Sequence, residues 1–469
     1  MKRLLASVAL ISLAACNGGS SPSTSAGMLP MAADAASPGS VPPGKRIKHI
    51  VIMVQENRSF DNLFATFPGA TDAPVTCGKI SSGECIPLKK VSLYNPLFLN
   101  YAHQYFVADY DGGKMDGFGA SSGQGAYQYV DPAQIAPYWT LAKQYVLADH
   151  LFTTQGSESY TAHQALIRGG TRLDARRTLV DIPSDGSDGA WGCDAPKFKG
   201  DKTSVPFLTN SGQLVVNGPF PCFGAAYPTL RDTLDAKSLS WKYYVPGKIK
   251  SNLDANAWNA FDSIRAVRRG PEWGTKVVWP STSGGTSLIF NDISTGQLAA
   301  VSWVIPDACN SDHPGNFVSE NCGGRVDTGP SWVASVVNAI GKSQYWDSTA
   351  IVVVWDDWGG LYDHIPPPQT NSQAEVGGPG FRVPMIVVSA YAHHSVVLHH
   401  VYGFGSIVRF VEDTFGLPSL NTTDAISRDF AADAFDFKHK PRAFVPIAAK
   451  YSQSFFEHQA PSGLPVDTE

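Results

Sequence analysis

Five short apolar runs, rich in β-branched residues, constrain this chain more than any other feature. They are HIVIMV at 49–54, LSWKYYV at 239–245, AAVSWVI at 299–305, TAIVVVW at 349–355 and VPMIVVSA at 383–390. A strand with one wet face alternates apolar and polar residues. These runs do not alternate, so they predict strands buried on both faces, as in a parallel sheet covered by helices. Helical periodicity lies between and after them. The segment 331–343 puts Trp332, Val333, Val336, Val337 and Ile340 on one face; 406–415 does the same with Ile407, Val408, Val411 and Phe415, and Gly416 supplies a stop. The alternation predicts an α/β fold with a mostly parallel central sheet flanked by helices.

The turn-rich stretches 66–100, 171–228 and 306–329 hold six of the seven cysteines. An even number in an exported chain predicts disulfides, and proximity groups them as Cys77 with Cys85, Cys193 with Cys222, and Cys309 with Cys322. No Cys-x-x-Cys spacing favours a thiolate metal site instead. Export itself is read from residues 1–16, MKRLLASVALISLAAC, where Lys2 and Arg3 precede an apolar stretch too short to span a bilayer. Leu13-Ala14-Ala15-Cys16 resembles a bacterial lipobox, so the leader is expected to be a lipoprotein signal peptide ending at a lipidated Cys16. Plain signal cleavage with loss of Cys16 is the alternative. The expected location is periplasm-facing or outer-membrane-anchored. Residues 17–45 read as a flexible Gly/Ser/Pro tether, 46–440 as one domain with disulfide-stapled loop insertions, and 441–469 as a C-terminal extension. With 36 basic against 41 acidic residues, the net charge of -5 gives no footprint for nucleic acid.

Ligands of an open parallel sheet bind beyond the carboxyl ends of its strands. Two of the runs deliver acidic pairs there. Glu56 and Asn57 follow the first, and Asp356 and Asp357 follow TAIVVVW just before Gly359 and Gly360. Neighbouring residues on a strand point to opposite faces, so both members of a pair converge on one centre only where the strand has stopped. Four oxygen donors, three of them carboxylates, suit a hard divalent or trivalent cation that in turn binds phosphate oxygens. The plainer reading is a solvated helix cap and a polar turn. A third piece, QGSESYTAHQALIRGG at 155–170, places Ser157 or Ser159 at a helix entrance, where the dipole favours an anion. Ser159 and His163 lie four apart and share a face if both are helical; a capping serine and a packed histidine explain the same residues. No Gly-x-Ser-x-Gly elbow is present.

In order, HIVIMVQENRSFDNLF (49–64), GGKMDGF (112–118), ESYTAHQALIRGG (158–170), WGCDAP (191–196), PDACNSDHP (306–314) and WDDWGGLYDHIPPP (355–368) closely resemble the bacterial phosphoesterase family, over roughly residues 47–420. That family contains non-specific phospholipases C and acid phosphatases of the alkaline-phosphatase-like superfamily. The resemblance implies a three-layer sandwich and one metal ion of unassigned identity held by Glu56, Asn57, Asp356 and Asp357, with Ser159 as the metal-bound nucleophile. Many members read Ser or Thr, any residue, Pro, Asn around the nucleophile, whereas this chain reads Ser159-Tyr160-Thr161-Ala162-His163, which keeps Ser157 as a competing assignment. Ser59 reads as a local helix cap. His313, in SDHP, and His103, upstream of GGKMDGF, resemble phosphate-pocket histidines. His364 belongs to the motif without a clear role, and His393, His394, His399 and His400 form a further group read either as metal ligands or as exposed loop histidines. The expected reaction is double displacement through phosphoserine, on a phosphate ester or phospholipid. Phosphomonoesterase and phospholipase C stay open, and so does the oligomeric state. The rival classes are a solute-binding lipoprotein without turnover and a sulfatase-like hydrolase, whose Cys/Ser-x-Pro-x-Arg context is missing around Ser157 and Ser159.

Overall fold

The computed structural model describes residues 43–94, 97, 99–183, 192–194, 205–216, 221–245, 257–279, 288–315, 322, 328–368, 377–460 and 462. The signal peptide, Cys16 and residues 17–42 of the tether lie outside the described residues. Nine strands form the central sheet: β1 (His49–Gln55), β2 (Val146–Phe152), β3 (Trp241–Tyr244), β4 (Val277–Val278), β5 (Val301–Val304), β6 (Thr349–Trp355), β7 (Arg382–Ser389), β8 (Val396–Leu398) and β9 (Tyr402–Gly403). Their order is β4-β3-β5-β1-β6-β7-β2-β8, with β9 also pairing β2. Every pair is parallel except those of β7, which runs antiparallel to both β6 and β2. The run at 383–390 is therefore a strand, but of the opposite direction to its fellows. Burial on both faces makes a strand apolar whichever way it runs, so the pattern carries no direction.

Every residue of β6, and all of β1 after His49, is buried, so the sheet is covered on both faces. The helices include α1 (Phe60–Phe64), α2 (His103–Tyr110), α3 (Ala136–Gln144), α4 (Ser159–Arg168), α5 (Gly329–Gly341) and α6 (Phe404–Phe415). Of these, α4 packs on α6, and α5 on α3. Gly416, at φ 61°, ends α6 in the left-handed conformation that the sequence anticipates. Among the described residues no helix is long and apolar enough to cross a membrane. Beyond residue 440, Phe444 packs on Trp346 with ring centroids 4.9 Å apart, Ile447 exchanges two hydrogen bonds with Asn338 of α5, and Phe456 is buried. All three disulfides join the cysteines paired by proximity.

Strand β2 escapes the sequence pattern, because Asp149 and His150 interrupt an otherwise apolar VLADHLF. It matters, because β2 leads directly into α4. A second apolar cluster, including Met115, Phe118, Tyr127, Trp358, Tyr362 and Phe381, lies under the turn that follows β6. GGKMDGF supplies the first two of these. Gly117 approaches the main chain so closely that a Cβ there would sit 1.9 Å from the Ala108 carbonyl oxygen, which explains a glycine in that motif.

The two segments that leave β1 and β6 are then tied to β7 by one cation. Arg382 is fully buried; it donates to Asp363 at 2.8 Å, to Asp61 of α1 at 3.0 Å and to the Asp149 carbonyl at 2.9 Å. His364 joins the group through its Nδ1, 2.7 Å from Asp61. Burial is the largest influence and pulls its pKa down, but the Asp61 hydrogen bond and the charges of Asp61 and Asp363 together outweigh it, and the net shift is upward. Asp363 and His364 of the YDH motif thus act in structure. Replacing Arg382 with Met leaves two buried carboxylates without their cation and is expected to cost about 3–5 kcal/mol, measured by urea denaturation, with Arg382→Lys recovering only part.

Candidate active site

Strands β1 and β6 are neighbours in register, Gln55 opposite Trp355, so both acidic pairs emerge at one point of the sheet edge. Asn57 adopts φ 56°, a left-handed turn that asparagine tolerates, and this ends the strand's alternation where Glu56 and Asn57 need to face one centre. Asp356 fastens the two ends together. Its Oδ1 accepts the backbone N–H of Asn57 at 2.8 Å and that of Asp357 at 2.7 Å. Asp357 Oδ1 accepts the Gly359 N–H at 2.7 Å. Gly359, at φ 58°, lies so close that a Cβ would come within 2.4 Å of the Asn57 carbonyl oxygen. Two turns are thereby packed into each other without side chains between them.

The third piece arrives from β2, which ends on the same side of the sheet. Glu158 caps α4 with extended backbone, and Ser159 is the first helical residue. The Ser159 hydroxyl faces Asp357 Oδ2 at 3.1 Å and Asn57 Oδ1 at 3.4 Å. Ser157 is engaged elsewhere: its hydroxyl accepts the Asp181 N–H at 2.6 Å and donates to Asp181 Oδ1 at 3.3 Å. Burial pushes the Asp181 carboxyl up to about 6, against hydrogen bonds from the His103 N–H and Ser157. Ser59 caps α1, accepting the Asn62 N–H at 3.2 Å.

Of the histidines, His103 starts α2 and holds the Gly156 carbonyl through Nδ1 at 2.7 Å, three residues before Ser159. His313 follows β5; the Ser311 carbonyl accepts the Glu56 N–H at 2.8 Å, which sets SDHP beside the first acidic pair. Its Nδ1 donates to the Pro314 carbonyl, and its ring stacks on Trp258 at 6.2 Å. The neighbouring Asp312 takes hydrogen bonds from Tyr138 at 2.7 Å and Trp355 at 3.2 Å, while its carbonyl accepts from Arg58 at 2.8 Å. Burial raises Asp312 to about 6 and lowers Arg58 to about 10. The residue that sequence reasoning undervalued is His163. It is buried, as a packed histidine would be, yet its Nε2 lies 3.0 Å from Glu56 Oε1 and 4.0 Å from Asp356 Oδ2. The signal was its spacing of four from Ser159.

The donors fit a cation. Glu56, His163 and Asp356 each offer an atom within 4.8 Å of the others, and all three are buried. Asp356 Oδ2 has no hydrogen-bond partner among the described residues, although burying a bare carboxylate oxygen is costly. His163 adds a nitrogen to the expected oxygen set, so the donors leave the ion's identity unassigned.

The description "phosphoesterase family" belongs to a family model that matches residues 47–418. The chain belongs to the phosphoesterase family. It is 25% identical to phospholipase C A of Mycobacterium tuberculosis over 450 residues, covering 85% of this chain and 79% of that protein. It is likewise 25% identical to the non-hemolytic phospholipase C of Pseudomonas aeruginosa, over 87% of this chain and 60% of that longer protein. Among solved structures, a protein of the alkaline phosphatase superfamily from Vibrio parahaemolyticus matches 82% of this chain, and 70% of its own, at 13% identity and a TM-score of 0.37. This phosphoesterase is a hydrolase acting on phosphoric esters. Because the two turns interlock at Gly359, Gly359→Ala is expected to lower p-nitrophenyl phosphate hydrolysis at least roughly tenfold and to reduce Tm. Gly224→Ala, at a position with nothing within 4 Å of a Cβ, should change neither and serves as the control.

Proposed function

We propose that this phosphoesterase cleaves its substrate by double displacement on Ser159. The contact that supports the assignment is that of the Ser159 hydroxyl with Asp357 and Asn57, which Ser157 does not share. Glu56, Asn57, Asp356 and Asp357 would hold the metal ion together with Ser159, with His163 beside Glu56 as a further donor; the ion, when bound, lowers the hydroxyl pKa and absorbs phosphoryl charge. Ser159 Oγ attacks phosphorus in line, its proton passing to Asp357 Oδ2. The bond to the leaving oxygen breaks, and phosphoserine forms. The N-terminus of α4 faces the charge on the phosphoryl oxygens. A water molecule then attacks phosphorus, giving a proton to His313; the P–Oγ bond breaks, Ser159 Oγ takes its proton back from Asp357, and phosphate leaves. His313 protonates the leaving oxygen: with Nδ1 bound to a carbonyl, Nε2 is the nitrogen that exchanges the proton. His103, fixed against the loop that carries Ser159, lines the phosphate pocket.

The substrate class is broad: phosphate monoesters, with phospholipid headgroup esters supported by relatives named phospholipases C. A lipid anchor at Cys16 would set the domain beside phospholipid, facing the periplasm or held at the outer membrane. Ser159→Ala is expected to lose roughly three or more orders of magnitude in kcat with the fold intact by circular dichroism, while Ser157→Ala keeps most of it. Retained turnover in Ser159→Ala rejects the nucleophile. Paired assays with p-nitrophenyl phosphate and p-nitrophenylphosphorylcholine divide monoesterase from phospholipase C. A leaving group that needs no proton exposes the acid. His313→Gln should therefore slow phenyl phosphate far more than p-nitrophenyl phosphate, and equal slowing of both would remove His313 from that role.

A further inference from the structure

Two other groups of potential ligands stand apart from the Ser159 centre among the described residues. Asp61 and Asp363 are already bridged by Arg382, and His364 is held by Asp61, so this group is accounted for by the Arg382 network. Asp149 meets Arg382 through its carbonyl, at 2.9 Å, while its carboxylate faces His150 and His399. Asp149 is fully buried at a strand position, His150 is 17% exposed and His399 54% exposed, so the group opens to solvent on the histidine side.

A defect in the sheet brings these three together. On β2, Leu151 pairs with Val383 of β7 and Ala148 with Met385, so two residues, Asp149 and His150, stand opposite Pro384 alone. Such a bulge re-aims side chains that would otherwise alternate between faces, and proline, with no N–H to donate, suits the unpaired position. On the other side of β2 the ladder opens as well. Leu398 of β8 pairs with Ala148 and Tyr402 of β9 with Leu151, so the chain between them leaves the strand beside the bulge, with His399 as its first residue. Asp149 Oδ1 then lies 2.7 Å from His150 Nδ1, and Asp149 Oδ2 lies 2.9 Å from His399 Nδ1. Thr71 adds its N–H to Asp149 Oδ2 at 2.8 Å and its hydroxyl to the same oxygen at 3.0 Å.

We propose that Asp149, His150 and His399 form a second cation site, selective for a borderline divalent ion such as zinc. Two imidazoles and one carboxylate, with further positions left to water, are the donor types and number that such ions take. Bonds of about 2.0–2.2 Å at tetrahedral angles set ligand atoms roughly 3.3 Å apart, about half an ångström beyond the present hydrogen bonds. The half-exposed His399, outside the ladder, supplies that movement. Binding replaces a proton on each Nδ1 with the ion and clips the β8–β9 connection to β2. The site is independent of the roles proposed around Ser159.

Zinc alone is the probe, titrated calorimetrically into chelator-stripped full-length protein carrying Glu56→Gln and Asp356→Asn, so that the other centre is silent. One equivalent is expected to bind and to raise Tm. Adding His150→Ala and His399→Ala should weaken that binding at least roughly 100-fold and abolish the rise in Tm. His399→Ala alone, a change at a half-exposed residue, should weaken it at least tenfold and guards against a double variant that fails to fold. Cobalt in place of zinc should give a visible absorption band that disappears with the histidines. Failure of the silenced protein to bind zinc, or unchanged affinity after loss of the histidines, overturns the proposal.

Discussion

One carboxylate oxygen, Asp356 Oδ1, holds the candidate site in shape. By accepting the N–H groups of Asn57 and Asp357 it converts two adjacent strand ends into a single rigid corner. Everything else in the site is referred to that corner. The left-handed turn at Asn57 is tolerable because its amide is captured, and Gly359 fits because the corner leaves no room for a Cβ. The hydroxyl of Ser159 meets oxygen atoms from both strand ends at once. With Oδ1 committed to the backbone, Oδ2 of the same carboxylate remains for a cation.

Behind the corner the fold supplies support of two kinds. The Arg382 network stops α1 and the segment after β6 from moving apart, at the expense of burying several charges together. The aromatic cluster of Phe106, Phe118, Trp358, Tyr362 and Phe381 fills the space beneath the second turn, where Gly156 presses against the Phe106 ring, so that the loop before Ser159 rests on the same cluster. These motif segments lie far apart in the chain and meet only through packing, which is why their spacing looks arbitrary along the sequence.

Much of the architecture was legible because burial on both faces leaves an unambiguous trace. The runs at 349–355 and 49–54 coincide with β6 and β1 to within a residue. The direction of β7 was not legible, since an apolar strand looks alike both ways, and β2 was hidden by the polar pair at its bulge. At the site, the rule that strand ends and helix starts carry chemistry pointed to Glu56, Asn57, Asp356 and Asp357 and to either Ser157 or Ser159, and the family resemblance preferred Ser159. The structure brings Ser159 together with the other four. His163 was visible only as a spacing, because a buried histidine and a ligand histidine look the same until Glu56 is seen beside it. Arg382 gave no local signal at all: its partners are Asp61 and Asp363, and only the folded sheet brings them together.

The central claim is that oxygen atoms from two strand ends and the hydroxyl of Ser159 gather on one cation at the site of phosphoryl transfer. It is tested most directly by a crystal structure of the protein with orthovanadate, collected with anomalous data for the metal and for vanadium. The account predicts one metal peak about 2.0–2.6 Å from oxygens of Glu56, Asn57, Asp356 and Asp357, with vanadium bonded to Ser159 Oγ. Vanadium on any other side chain, or no metal at the two acidic pairs, would contradict it.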